Sequence, residues 1–229
     1  MYFEDRVDAG RRLARRLIER GYSGEGTLVV GLPRGGIPVA YEVAAALGAP
    51  LDLCVVRKVG APDYPELGLG AVAEGGSVFL NRKLMGELNI QEARLRGPVH
   101  EKCSEVDARV AVYRQGVPPR RVEGQRILVV DDGIATGATA MAALQALRAR
   151  KPGRIILAVP VASALTLDAL APRVDDIVCV FSTSCLGSIG KWYRDFVEVT
   201  DADVVELLAL ARGTFERGRA SPAPSQGPG

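Results

Sequence analysis

The hydrophobic positions fall into short, nearly unbroken runs separated by longer stretches at helical spacing. Val7, Leu13, Leu17 and Ile18, with arginines between them, predict an amphipathic helix from Val7 to Arg20. Thr27 to Leu32 is an apolar run stopped by Pro33, a strand. Ile37 to Leu47 is alanine-rich and closed by Gly48, as a helix followed by a C-terminal glycine would be. Leu51 to Val56 reads as the next strand, so the opening is a βαβ unit. Residues 57–80 are rich in Gly and Pro and predict a mobile loop, about 58–80, containing a short hairpin around Glu74-Gly75-Gly76. A helical stretch over 81–115 follows, with an interruption at Gly97-Pro98. Then come strand 126–131, helix 137–150, strand 154–160, helix 163–171 and strand 176–181. Thr200, as cap, and Asp201 and Asp203 open a last helix running to about Arg212. The strands are near-continuous apolar runs, as expected of strands covered on both faces. The expected fold is α/β, a doubly wound and mainly parallel sheet flanked by helices, in one domain over 1–217. The Pro-, Ser- and Gly-rich tail, 218–229, is expected to be disordered and dispensable.

Composition removes several alternatives. The 229 residues are 48% hydrophobic and 24% charged, with a formal net charge of +2, so neither nucleic acid nor an anionic membrane is an expected partner. No apolar run approaches the roughly 20 residues a spanning helix needs, and the N-terminus lacks a signal-type apolar region. The four cysteines have no CxxC spacing, which fits a reducing cytoplasm. A single histidine, His100, argues against histidine triads and multi-histidine metal sites.

The candidate chemistry is concentrated in ILVVDDGIATGAT, residues 127–139. Strand, acid pair and glycine-threonine turn occur in an order that suits a ligand combining a phosphate with hydroxyls. Ala135, Thr136, Gly137, Ala138 and Thr139 can cradle the phosphate at a helix N-terminus. Asp131 and Asp132 can accept hydrogen bonds from vicinal hydroxyls, so the acids face the sugar rather than the phosphate. The turn lacks the Gly-Lys-Ser/Thr ending of a nucleoside triphosphatase loop and the GxGxxG of a dinucleotide site.

This stretch resembles the 5-phosphoribosyl-1-pyrophosphate (PRPP) motif of the type I phosphoribosyltransferases. The resemblance covers most of residues 26–200 and implies a core over about 26–181. Gly31-Leu32-Pro33-Arg34-Gly35-Gly36 then corresponds to the family's pyrophosphate loop, often built on a strained or cis peptide, with Pro33, Arg34, Gly35 and Gly36 in contact. Arg57-Lys58 resembles the family's basic pair beside the pyrophosphate, Arg57 catalytic among them, and the segment after it resembles the loop that closes over the site. Glu66 and Glu74 in that segment carry no assigned role. Residues 182–200 resemble the hood over the base, where Leu186, Trp192 and Tyr193 are the contact candidates; fastening of the hood by Trp192 and Phe196 is an equal reading.

The implied reaction is transfer of the phosphoribosyl group to a base nitrogen with release of pyrophosphate. It implies Mg²⁺ held largely by PRPP and water, with Asp131 and Asp132 contributing indirectly, and catalysis by Asp131, Asp132 and Arg57. Members acting on 6-oxopurines commonly carry Asp where this chain has Ala135, which weighs against that acceptor class and leaves the acceptor open. The helical stretch 81–115 is longer than a minimal member needs, an oligomer surface or an extra lid, and a homodimer is expected. A PRPP-binding regulator of the same fold without turnover is the alternative. An unrelated receiver-like domain would leave Thr136 to Thr139 without a purpose.

Overall fold

The computed structural model describes residues 2–62, 64 and 67–220, with side chains to Phe215. Glu66 and residues 221–229 lie outside the described residues. The main sheet is five-stranded, in the order β2-β1-β6-β7-β8, with β1 Thr27–Gly31, β2 Leu51–Leu53, β6 Arg126–Val130, β7 Arg154–Ser163 and β8 Asp176–Thr183. All its pairings are parallel; Gly31 stands opposite Val130 and Leu53. From β1 the chain winds one way to β2, while β6, β7 and β8 extend the other way. The connections leaving the carboxyl ends of β1 and β6 therefore diverge and open a crevice between them.

Side chains alternate across this sheet and split the core in two. Val29, Leu128, Val130, Ile156 and Ala158 share one face with Leu13 and Leu17 of helix α1 (Arg6–Glu19) and Val39 and Val43 of α2 (Gly36–Leu47). Leu28, Val30, Ile127, Val129, Ile155 and Leu157 face Ala143, Leu144 and Leu147 of α5 (Ala138–Ala149) on the other. Covering both faces explains why these strands read as unbroken apolar runs rather than alternating ones.

The stretch from Leu51 to Val56 is not one strand. It leaves the main sheet at Cys54 and enters a second, antiparallel sheet formed by β3 (Val56–Gly60), β4 (Gly68–Ala73) and β5 (Ser77–Leu80). The expected hairpin is present, with Gly75 and Gly76 at φ of 82° and 75°, a backbone region that side chains disfavour. The expected loop over 58–80 is otherwise mostly strand: β4 and β5 pair with Ala73 opposite Ser77. Arg57 and Lys58 accordingly lie within β3 and do not end the second core strand.

Residues 81–115 form α3 (Arg82–Glu87), a 3₁₀ turn over Glu92–Leu95 and α4 (Arg96–Arg114). The break falls after Leu88, where Asn89 adopts φ 52°, and not at Gly97-Pro98. Those two residues occupy the first turn of α4, where a missing N–H costs nothing. Helix α6 (Ala164–Leu170) follows β7, and α7 (Asp201–Ala220) continues well past the expected end at Arg212.

Candidate functional site

β6 ends at Val130, and Asp131 and Asp132 follow at the mouth of the crevice. Ile134 is fixed against β7: its N–H donates to Val161 O (2.9 Å) and its carbonyl accepts from Ser163 N (2.9 Å). With the pairing of Val161–Ser163 to Phe181–Thr183 of β8, this carries β7 to Ser163, past the expected end at 160. Gly137 turns the chain into α5 with φ 76°, and a Cβ there would stand 2.6 Å from Thr166 Cγ2. Thr166 Oγ1 donates to Ala135 O at 2.6 Å, bracing the turn from outside. The N–H groups of the first turn of α5 have no intrahelical acceptor, and Thr136, Ala138 and Thr139 are exposed. The structure thus brings all five residues of the expected cradle to one helix N-terminus.

The connection from β1 to α2 forms the opposite wall. Leu32 N–H donates to Val130 O (2.9 Å), and the peptide bond between Pro33 and Arg34 is cis. The two glycines here serve close approach rather than backbone freedom. Gly35 is in the right-handed helical region, φ −58° and ψ −31°. A Cβ on it would lie 2.1 Å from Asp132 Oδ2, and one on Gly36 would lie 2.9 Å from Asp131 Oδ1. Arg34 is ion-paired with Glu198.

The acid pair is sheltered and asymmetrically partnered. Asp131 Oδ1 accepts from the Asp132 amide at 2.9 Å. Asp132 Oδ2 accepts from Arg6 Nε at 2.8 Å, with side chains 14% and 12% exposed. Burial, then the adjacent Asp132 charge, raises the Asp131 carboxyl well above the usual carboxylate range. Burial raises Asp132 too, opposed by the Arg6 charge and hydrogen bond. One of the two carboxylates expected to face a sugar is thus already engaged through one oxygen.

Arg57 lies within β3. Its Nη1 donates to Val56 O (3.1 Å), and its Nε lies 3.7 Å from Glu105 of α4. Lys58 is exposed on β3. Glu74 is a structural anchor, bonded through both oxygens to Arg114.

In the hood, Trp192 Nε1 donates to Leu186 O (3.0 Å), and its ring packs on Phe181 at 4.7 Å. The Tyr193 hydroxyl donates to Asp132 O, and its ring packs on Phe3 at 5.4 Å. Leu186 is buried. Through these contacts Leu186, Trp192 and Tyr193 fasten the hood to the core. The helical i, i+4 relation of Trp192 and Phe196 is not realised, because the 3₁₀ turn ends at Trp192. Ile189 reaches Gly133, where a Cβ would stand 2.7 Å from two of its carbons.

Sequence reasoning missed Arg6, Glu198 and the N-terminal segment. Phe3 N–H donates to Trp192 O (2.8 Å), and Phe3 O accepts from Arg194 N (2.9 Å), so the hood is built from both ends of the chain. Arg6 carried no distinguishing signal, since it opens a helix that holds several other arginines.

For a divalent cation, the pair offers carboxylate oxygens of the hard type Mg²⁺ prefers. One Asp132 oxygen is committed to Arg6, and among the described residues no group of three or more His, Cys, Asp or Glu is placed to hold a metal. That donor set fits an ion held through water and ligand oxygens, with Asp131 and Asp132 at one remove.

A family model for the phosphoribosyl transferase domain matches residues 3–199. A Mycobacterium tuberculosis H37Rv protein bearing a phosphoribosyl transferase name is 39% identical over 226 residues, which cover 99% of this chain and 51% of that protein. The chain therefore spans about half the length of the curated relatives it matches. The crystal structure of TT1426 from Thermus thermophilus superposes with a TM-score of 0.81 at 39% identity, covering 91% of this chain and 98% of that one. A hypothetical protein from Neisseria gonorrhoeae, solved with bound ppGpp, shares the fold at a TM-score of 0.50 and 12% identity, with 96% of both chains covered. The acid pair, the phosphate-type turn and the glycine wall thus sit on a chain that belongs to the phosphoribosyl transferase domain family.

Proposed function

We propose that this chain transfers the 5-phosphoribosyl group from PRPP to a nitrogenous base, releasing pyrophosphate, in a Mg²⁺-dependent reaction. The observation that carries the reading is the juxtaposition, across one crevice, of the acid pair, the open N-terminus of α5 and the close-packed Pro33–Gly36 wall. The 5′-phosphate takes the exposed amides and hydroxyls of Thr136 to Thr139, where the helix dipole favours an anion. Asp131, with the Asp132 oxygen not bonded to Arg6, accepts from the ribose hydroxyls. The diphosphate lies along Pro33, Arg34, Gly35 and Gly36. A base nitrogen forms the new bond to C1 as the C1–oxygen bond breaks, and the electron pair leaves with pyrophosphate. The acid pair favours the positive charge that develops on the ring. Mg²⁺, when bound, neutralises diphosphate charge. Arg57 and Lys58 on β3 are the further cations that the family resemblance implies for the diphosphate, Arg57 meeting Val56 O and Glu105 in this structure. With the Trp192 and Tyr193 polar atoms occupied, the edge of the base is read by main-chain groups between Leu186 and Ile189.

One observation favours a second reading, a PRPP-binding regulator without turnover: Arg34 and Asp132 both already have internal partners, Glu198 and Arg6. Phosphorus NMR with PRPP, Mg²⁺ and a pool of purine and pyrimidine bases separates the two. Pyrophosphate formed only with the pool supports the transferase; PRPP binding by calorimetry without pyrophosphate supports the regulator. The Asp131→Asn/Asp132→Asn double variant should retain the fold and lose PRPP, and unchanged binding and turnover in it would sink the assignment.

A further inference from the structure

Arg6 makes three separate contacts that converge on the site. Its Nε donates to Asp132 Oδ2 (2.8 Å) and its Nη1 to the Val197 carbonyl in the hood (2.7 Å). Its guanidinium carbon lies 3.8 Å from the centroid of the Phe196 ring. Asp5, the cap of α1, holds the residue at the helix start by accepting from Asp8 N at 2.8 Å. One side chain therefore joins α1, a motif carboxylate and two hood residues, through a planar fork, a stacked face and a fixed charge that lysine cannot reproduce together.

We propose that Arg6 is the positioning residue of this site: it holds Asp132 against Gly35 and locks the hood to that carboxylate, so that hood and acid pair form one preorganised unit. The proposal rests on the PRPP reading for its ligand. It also gives the adjacent carboxylates a physical reason. Two uncompensated negative charges beside a phosphate-rich ligand would repel it, and Arg6 cancels one of them while leaving an Asp132 oxygen to accept a hydroxyl. The steric fit at Gly35 then fixes which oxygen is which.

The test compares wild type, Arg6→Met, Arg6→Lys, Asp132→Asn and Arg6→Met/Asp132→Asn. The readouts are calorimetric affinity for PRPP with Mg²⁺, pyrophosphate release with the base pool, melting temperature and the emission of Trp192, the only tryptophan. Arg6→Met should weaken PRPP binding about tenfold or more, the scale of one lost charge-assisted contact, and shift the Trp192 emission. Arg6→Lys should recover part of the affinity. In the Asp132→Asn background, Arg6→Met should cost less than about twofold, because the partner it positions is already neutral. Equal losses in both backgrounds, or unchanged affinity, would overturn the proposal and leave Arg6 a helix-fastening residue. If Arg6→Met does not fold, Arg6→Lys carries the comparison in both backgrounds. If wild type does not bind PRPP, the functional reading falls by itself. The Trp192 emission then decides Arg6: a shift on Arg6→Met that disappears in the Asp132→Asn background supports the coupling of hood to carboxylate, and equal shifts in both backgrounds overturn it.

Discussion

Arg114→Met is the most informative perturbation away from the crevice, because the size of its effect can be worked from contacts. Arg114 is 8% exposed and Asp52 7%, so their pairing belongs to the buried regime rather than the weak surface one. Arg114 Nη1 donates to Asp52 Oδ1 (2.8 Å), while Nη2 donates to Glu74 Oε2 (2.9 Å) and to Leu53 O (3.2 Å). It thereby ties the end of α4, the edge strand β2 and the β4–β5 hairpin together. Removing one partner of such a pair costs about 3–5 kcal/mol, because the other charges stay buried. The low end applies: Asp52 keeps the Leu53 and Arg120 amides, at 2.8 and 2.7 Å, and Glu74 sits at a turn from which it can reach water. At roughly 2–4 °C per kcal/mol for a chain of this size, about 3 kcal/mol lowers Tm by about 6–12 °C. Thermal unfolding followed by circular dichroism measures it. Hydrogen exchange should show Val72 and Ala73 losing protection first. Arg114→Met/Glu74→Gln should recover part of the loss, since one uncompensated charge is gone. A Tm within about 2 °C of wild type would refute the argument, because surface pairs alone produce so small a change.

Three further outcomes are expected. Gly35→Ala places a Cβ 2.1 Å from Asp132 Oδ2, forcing a shift of about 1 Å and a loss of roughly a hundredfold in PRPP turnover; kinetics within twofold of wild type would show that the wall yields freely. Thr139→Asp adds an acid to the first turn of α5, so Tm should hold or rise with about 0.3–1 kcal/mol of added helix stability, while PRPP binding measured by calorimetry disappears. Binding that survives would place the phosphate elsewhere. Asp175 accepts from Ile155 N at 2.7 Å and from Arg148 at 3.1 Å, which, the Ile155 amide first, holds its carboxyl below the usual range. A depressed carboxyl contributes stability above its unfolded value of about 3.9 and loses it as pH falls through the folded value. Asp175→Asn should therefore lower Tm at pH 7 and converge with wild type in strong acid; a constant difference across pH would contradict the linkage.

The elements that the sequence announced share one physical origin: their signals are local. A buried parallel strand must be apolar on both faces, so 27–32, 126–131 and 154–160 were readable from their unbroken apolar runs. The turn at Gly137 and the acids before it are contiguous, so the cradle was legible as a motif. Gly48 was legible too, ending α2 with φ 65°. What failed depended on partners distant in sequence. The run Leu51 to Val56 is uniformly apolar, and nothing in it records that Leu51–Leu53 pairs with β1 while Val56 pairs with Ala73. Gly35 and Gly36 were legible only as part of a phosphate-type loop, and nothing local shows that what they avoid is Asp132 and Asp131, nearly a hundred residues away. Gly97-Pro98 looked like a break because its position within a helical turn is invisible until the helix start is known.

The sequence by itself determined the class of fold, the order of its main strands and helices, and the chemistry concentrated in residues 127–139, since periodicity and contiguous motifs need no third dimension. Only the tertiary structure decided which charges meet. Arg6 with Asp132, Arg34 with Glu198, and Arg114 with Asp52 and Glu74 are pairings across long stretches of chain. Each arginine resembles every other in the sequence, and its role follows from the one carboxylate that folding brings within reach.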